Sequence, residues 1–132
     1  MIVVDGPEIA RFIERALKVK IAEPYFALGF MSDDKKPLAA FVFNDFTGAN
    51  IELTAVSERG RLGLEIKRYI ARYVFIQNGC RRLTVRTKKR NKRVLKLAPL
   101  LGFKYEGVQK HFYADDDAVV FGMLKEDCRF LT

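Results

Sequence analysis

The chain has 132 residues, of which 49% are hydrophobic and 12% aromatic, and a formal net charge of +8. That length can bury the core of one domain, residues 1–132. A single histidine and two cysteines, Cys80 and Cys128, match no zinc-ligand spacing and no Ser-His-Asp triad. No apolar run reaches the roughly 20 residues of a membrane-spanning helix, and no secretory leader is recognisable. The expectation is a metal-free cytoplasmic protein that does not enter a membrane, with both thiols reduced.

Met1 to Val4 reads as a short apolar strand. Asp5 is placed to cap the next helix, with Pro7 in its first turn and Glu8 completing a capping box. Ile9, Phe12, Ile13, Ala16 and Leu17 recur at three- and four-residue steps, giving a helix from about 6 to 19 with one apolar face. Strands follow at Tyr25 to Met31, Leu38 to Phe43 and Asn50 to Val56. Polar turns separate them, at Ser32 to Pro37 and Asn44 to Gly48, so the three form an antiparallel meander.

Ser57 to Gly63 carries two glycines and two arginines into a long helix that stops at Asn78-Gly79. This helix is expected to bury Leu62, Ile66, Tyr69, Ile70, Tyr73, Val74 and Gln77. Arg81 to Thr87 is a further strand, and residues 91–101 a helix with Pro99 in its last turn. Phe103 to Tyr113 and Asp117 to Lys125 make a closing hairpin about Ala114-Asp115-Asp116. The order β-α-β-β-β-α-β-α-β-β implies an α+β fold: a mixed, largely antiparallel sheet of six to seven strands with helices on both faces.

Two stretches point to a phosphate-bearing ligand. A strand leads through Arg59, Gly60, Arg61 and Gly63 to a helix start, where free backbone N–H groups favour anions. From Arg81 to Lys96 there are nine basic residues and no acid, against an acidic end at Asp115, Asp116, Asp117, Glu126 and Asp127. A run of this kind is ordinarily a solvated face. Its density here suits a polyanion, either the phosphates of a cofactor or a nucleic acid, with Lys88, Lys89 and Arg90 nearest the proposed ligand.

Arg82-Leu83-Thr84-Val85, then Asn91, then Leu101 to Val108 resembles the second half of a GNAT-superfamily acyltransferase. The ending from Val120 to Leu131 is similar to small phage-encoded members of that superfamily. The resemblance implies an N-acetyltransferase that moves an acetyl group from acetyl-CoA to an amine, without a metal. It implies a cofactor gap between the fourth and fifth strands, with the backbone of Leu53, Thr54, Ala55 and Val56 on the pantetheine arm. Arg59, Gly60, Arg61 and Gly63 would meet the pyrophosphate, and Asn91 the cofactor.

The family turn reads Arg/Gln-x-x-Gly-x-Gly/Ala. Aligned on Arg59, this chain has Leu62 and Leu64 at its small-residue positions, and Ala98 stands where many members have an acidic tyrosine. Glu52, in mid-strand, is the carboxylate best placed to act as general base, its plain alternative being a solvent-facing strand residue. His111 could serve as a base but reads better as a satisfied or exposed strand residue, Glu106 reads as structural, and Tyr105 and Tyr113 as packing residues rather than acids. The acceptor is an amine of unspecified identity, such as a protein N-terminus, a small amine or a nucleic-acid base. The alternative is a protein of the same shape with an altered CoA loop, binding or modifying nucleic acid through Arg81 to Lys96. Either form could be a homodimer.

Overall fold

The computed structural model describes residues 1–57 and 62–131. Its elements in chain order are β1 (Ile2–Asp5), α1 (Pro7–Leu17), β2 (Tyr25–Met31), β3 (Pro37–Asn44), β4 (Asn50–Ser57) and α2 (Leu64–Ala71). A π-helical segment, Arg72–Gln77, continues α2. Then come β5 (Arg82–Lys88), α3 (Lys92–Leu101), β6 (Lys104–Tyr113) and β7 (Asp116–Leu124). The strands form one seven-stranded sheet in the order β1-β2-β3-β4-β5-β7-β6. This is the mixed, mostly antiparallel α+β architecture expected from the sequence.

Short turns dictate the antiparallel β2–β3, β3–β4 and β6–β7 pairs, since a strand that reverses within a few residues can only pair with its predecessor. The β4–β5 pair is parallel, because the connection between them is a helical crossover. Period-2 alternation sorts the side chains onto two faces. Leu28, Phe30, Phe41, Phe43, Ile51, Leu53, Leu83 and Phe121 share one face and pack against Ile66, Ile70, Val74 and Phe75 of the α2–π unit and Ala98 of α3. Removing each such side chain from water is worth about 2 kcal/mol. Ala27, Ala40 and Val42 lie on the other face beneath Ile9, Ala10 and Ile13 of α1.

The start of α1 differs from expectation. Asp5 belongs to β1, and Gly6 occupies the cap position with φ 139°, with no side-chain cap; Pro7 opens the helix. At that φ an L side chain is strained, so the chain enters the helix through a conformation only glycine holds easily. The buried stripe of α1 is Ile9, Ala10 and Ile13, while Phe12 and Ala16 are exposed.

In the second helical unit Tyr69 is half exposed, though its ring still meets Phe30 edge-on at 5.2 Å, and Gln77 is exposed. Phe75, unforeseen as core, is 1% exposed. A π turn takes more residues than an α turn, so the inward face passes from Ile70 to both Val74 and Phe75. The unit closes with Asn78 N–H donating to Tyr73 O, Cys80 N–H donating to Val74 O, and Gly79 at φ 65°. Both cysteines are free, Cys80 buried and Cys128 half-buried. No helix of the described residues is long and apolar enough to cross a membrane.

Candidate active site

The site arises where β4 and β5 part. They pair in register from Asn50↔Arg82 to Leu53↔Val85 and no further. Beyond that point β4 stays with β3 (Thr54↔Val42 to Ser57↔Ala39), and β5 stays with β7 (Arg86↔Val120 to Lys88↔Ala118). The inner edges of the two strands therefore face a gap. A cavity of about 280 Å³ fills it, lined by Leu53, Thr54, Ala55, Val56, Val85 and Thr87 from the strands and by Val94, Leu97, Ala98 and Leu101 from α3. Phe41, Leu62 and Phe103 complete a mainly apolar wall.

Asn91 sits beside this cavity because it caps α3, its side-chain oxygen accepting from Val94 N–H at 3.4 Å. The far end of α3 is fixed by Gly102 at φ 103°, where Phe103 N–H donates to Ala98 O and Gly102 N–H to Pro99 O, the paired bonds of a glycine-stopped helix.

A second, polar cavity of about 450 Å³ abuts the first, sharing Leu17, Thr54, Arg86, Thr87 and Asn91 with it. Glu52 lines this second space and is 9% exposed. It lies on the α1 side of the sheet by hairpin register, opposite Asn44 on β3. Arg86 Nη1 donates to Glu52 Oε1 at 2.6 Å, and Arg86 Nε donates to Gln109 at 2.9 Å. Burial pushes the Glu52 carboxyl up, Arg86 pulls it down, and nearby Asp45 pushes it up again; burial wins. Tyr113 faces the same cavity, and burial with the Glu52 charge pushes its phenol up to about 12, so it stays protonated at neutral pH. Phe112 covers Arg86, the guanidinium carbon lying 4.3 Å from the ring centroid.

Of the residues singled out from the sequence, Leu53, Thr54, Ala55 and Val56 all line the gap cavity, Asn91 lines both cavities, and Glu52 lines the adjoining one. Gly63 is the cap residue of α2 and lines neither; a Cβ there would meet nothing within 4 Å. Arg59, Gly60 and Arg61 lie outside the described residues. Ala98 is buried in the wall of the gap cavity. His111 is exposed and Glu106 binds Arg82 through Nη1 at 2.9 Å, as the sequence implied. Tyr105 is 63% exposed but its ring packs edge-on against Phe121 at 6.2 Å, and Tyr113 lines a cavity.

The sequence reading missed Arg86, Asn44 and Asp45 as site residues. The signal was available in the hairpin: a turn centred on Gly48 sets residue 44 opposite residue 52.

The basic run is largely neutralised from within the fold. Arg82 pairs with Glu106, Arg86 with Glu52, Lys88 with Asp115, and Arg90 with Asp115 and Asp116. Lys88 also donates to Lys18 O at 2.9 Å and is buried. The expectation that Lys88 and Arg90 stand ready for phosphate is thus corrected: the β6–β7 turn already supplies their anions. Among the described residues no cluster of three His, Cys, Asp or Glu could hold a metal ion.

No protein-family model matches the sequence, and no curated protein matches it. Solved structures do match. A spermidine N-acetyltransferase from Vibrio cholerae, a point mutant, superposes with a TM-score of 0.77 at 8% identity, covering 100% of this chain and 98% of that one. A spermidine/spermine N-acetyltransferase from the same organism, in complex with manganese ions, gives 0.72 at 11% identity over 95% and 92%. A ribosomal-protein-S5-alanine acetyltransferase from Vibrio fischeri gives 0.65 at 13% identity over 92% and 69%. The chain therefore has the fold of the GNAT acetyltransferases.

Proposed function

We propose that the protein is an N-acetyltransferase that takes its acetyl group from acetyl-CoA and passes it to an amine. One observation carries this reading: on a fold shared with acetyltransferases, the strands part to leave an apolar gap directly beside a buried carboxylate. The gap suits the donor, since its walls are apolar and the inner edges of Thr54 to Ser57 are not paired with β5, as a pantetheine arm requires. Leu53, Thr54, Ala55, Val56 and Asn91 would hold that arm, with Arg59, Gly60, Arg61 and Gly63 toward the phosphates. When bound, the thioester supplies an electrophilic acyl carbonyl.

The chain's own part is to orient the amine and take its proton. An incoming ammonium in the polar cavity gives a proton to Glu52, whose raised affinity for protons brings it nearer the operating range of a base. Arg86 fixes the carboxylate, and Phe112 shields that pair from water. With Ala98 at the usual acid position, the leaving thiolate takes the second proton that the nitrogen sheds after attack, and the protonated Tyr113 faces the polar cavity as a hydrogen-bond donor. Placement in a phage-encoded branch rests on the ending from Val120 to Leu131 and belongs to the same proposal.

The test is a melting experiment with acetyl-CoA followed by thiol release with amines. A ligand that binds only the folded chain stabilises it by about 2.7 kcal/mol at a hundredfold excess over its Kd. No stabilisation by millimolar acetyl-CoA overturns the reading.

A further inference from the structure

The polar cavity beside Glu52 has a lining whose charges do not cancel evenly. Glu52 is matched by Arg86 and Asp115 by Lys88, while Arg90 is held by the acids of the β6–β7 turn. Three charged lining residues then remain without an ion pair to a described residue: Asp45 at one end, and Lys18 and Lys20 on the segment that follows α1. Glu14, four residues before Lys18, has an oxygen occupied by Ile21 N–H at 2.9 Å.

At the Asp45 end, Asn44 ties β3 to the segment that follows α1. Asn44 donates through Nδ2 to Ala22 O at 3.2 Å, but its Oδ1 is buried and accepts from nothing among the described residues. Asn44 lies across the hairpin from Glu52, and Asp45 follows it with φ 51°, a left-handed conformation that asparagine and aspartate tolerate better than other side chains. The Asp45 and Glu52 carboxylates thus offer two acceptors to one ammonium group.

We infer that the acceptor is a small primary amine that also carries an anionic group, its ammonium held by Asp45 and Glu52 and its anion by Lys18 and Lys20. This rests on the acetyltransferase reading and narrows it to a substrate class. A cavity of about 450 Å³ takes a ligand of amino-acid to dipeptide size. A polyamine is disfavoured, because its second cationic end would lie against Lys18 and Lys20. The lysines are exposed on an irregular segment, so they can be changed without disturbing the core.

Calorimetric titration of the full chain with alanyl-glutamate, its diamide and spermidine tests the inference without any acyl donor. The dipeptide should bind at least tenfold more tightly than its diamide, and spermidine no more tightly than the diamide. The double variant Lys18→Gln/Lys20→Gln should erase the tenfold preference at an unchanged Tm, and Asp45→Asn should weaken the dipeptide and the diamide alike. Equal affinity for dipeptide and diamide, tighter binding of spermidine, or no saturable binding of the dipeptide overturns the inference. Thiol release from acetyl-CoA separates the two levels. Dipeptide binding without thiol release defeats the acetyltransferase reading alone, whereas release with spermidine but not the dipeptide defeats only the acceptor assignment.

Discussion

Glu52 shows how much one side chain's behaviour depends on its surroundings. Its mid-strand position is plain in the sequence, but its burial, the Arg86 pair and the nearby Asp45 exist only after β3, β4 and β5 assemble. Because burial raises its folded pKa above the unfolded value, its ionisation opposes folding. That contribution to stability is fully present below the unfolded pKa and is lost as pH rises through the folded one. In denaturation at stepped pH, Glu52→Gln should therefore gain on the wild type across that window. If Glu52 is the base, turnover should rise with pH as it ionises, and Glu52→Gln should lower kcat on the order of 10²-fold and abolish that limb. Arg86→Met should move the limb to higher pH, because the carboxylate loses its cation; an unmoved limb would assign the titration to another group.

Elements were legible wherever a local rule decides them. Apolar, β-rich or alternating runs between turn residues located all seven strands, and Gly79 and Gly102 marked both later helix ends because left-handed stops favour glycine. The misreadings share one cause, which is that tertiary packing outweighed a local pattern. Asp5 is a good capping residue, yet its pairing with Leu28 at the sheet edge takes it into β1. Phe12 fits a helical stripe, yet α1 faces the sheet through Ile9, Ala10 and Ile13. The π segment leaves no periodic signature in six residues, so Phe75 could not be told from its exposed neighbour Ile76. The two should separate in unfolding experiments: Phe75→Ala should cost about 3–4 kcal/mol as a cavity forms, while Ile76→Ala should stay within about 0.5 kcal/mol as surface changes do. Equal costs would mean that the widened turn does not set which residue faces inward.

At the scale of the whole molecule, the charge distribution was read correctly as uneven but not as self-compensating. The acids of β4, β6 and the β6–β7 turn meet Arg82, Arg86, Lys88 and Arg90. Arg81, Lys89, Lys92, Arg93 and Lys96 are left without an ion pair to a described residue. Duplex DNA, if bound, should then show a log–log salt slope no steeper than about −4.5 in a titration at several salt concentrations, from roughly 0.9 per neutralised phosphate. The fold was legible almost entire because each crossover and hairpin obeys chain connectivity; the polar cavity was not, since its walls come from α1, β3, β4, β5 and β6. The parting of β4 from β5 has a mechanical side as well. Seven strands hang together across one seam of four residue pairs, Asn50↔Arg82 to Leu53↔Val85, so the sheet is two plates, β1–β4 and β5–β7–β6, stitched along half an edge. Anything lodged in the open half acts as a splint between the plates, and the backbone amides along that seam should exchange with deuterium fastest in the empty protein and slow together on both sides when acetyl-CoA is added.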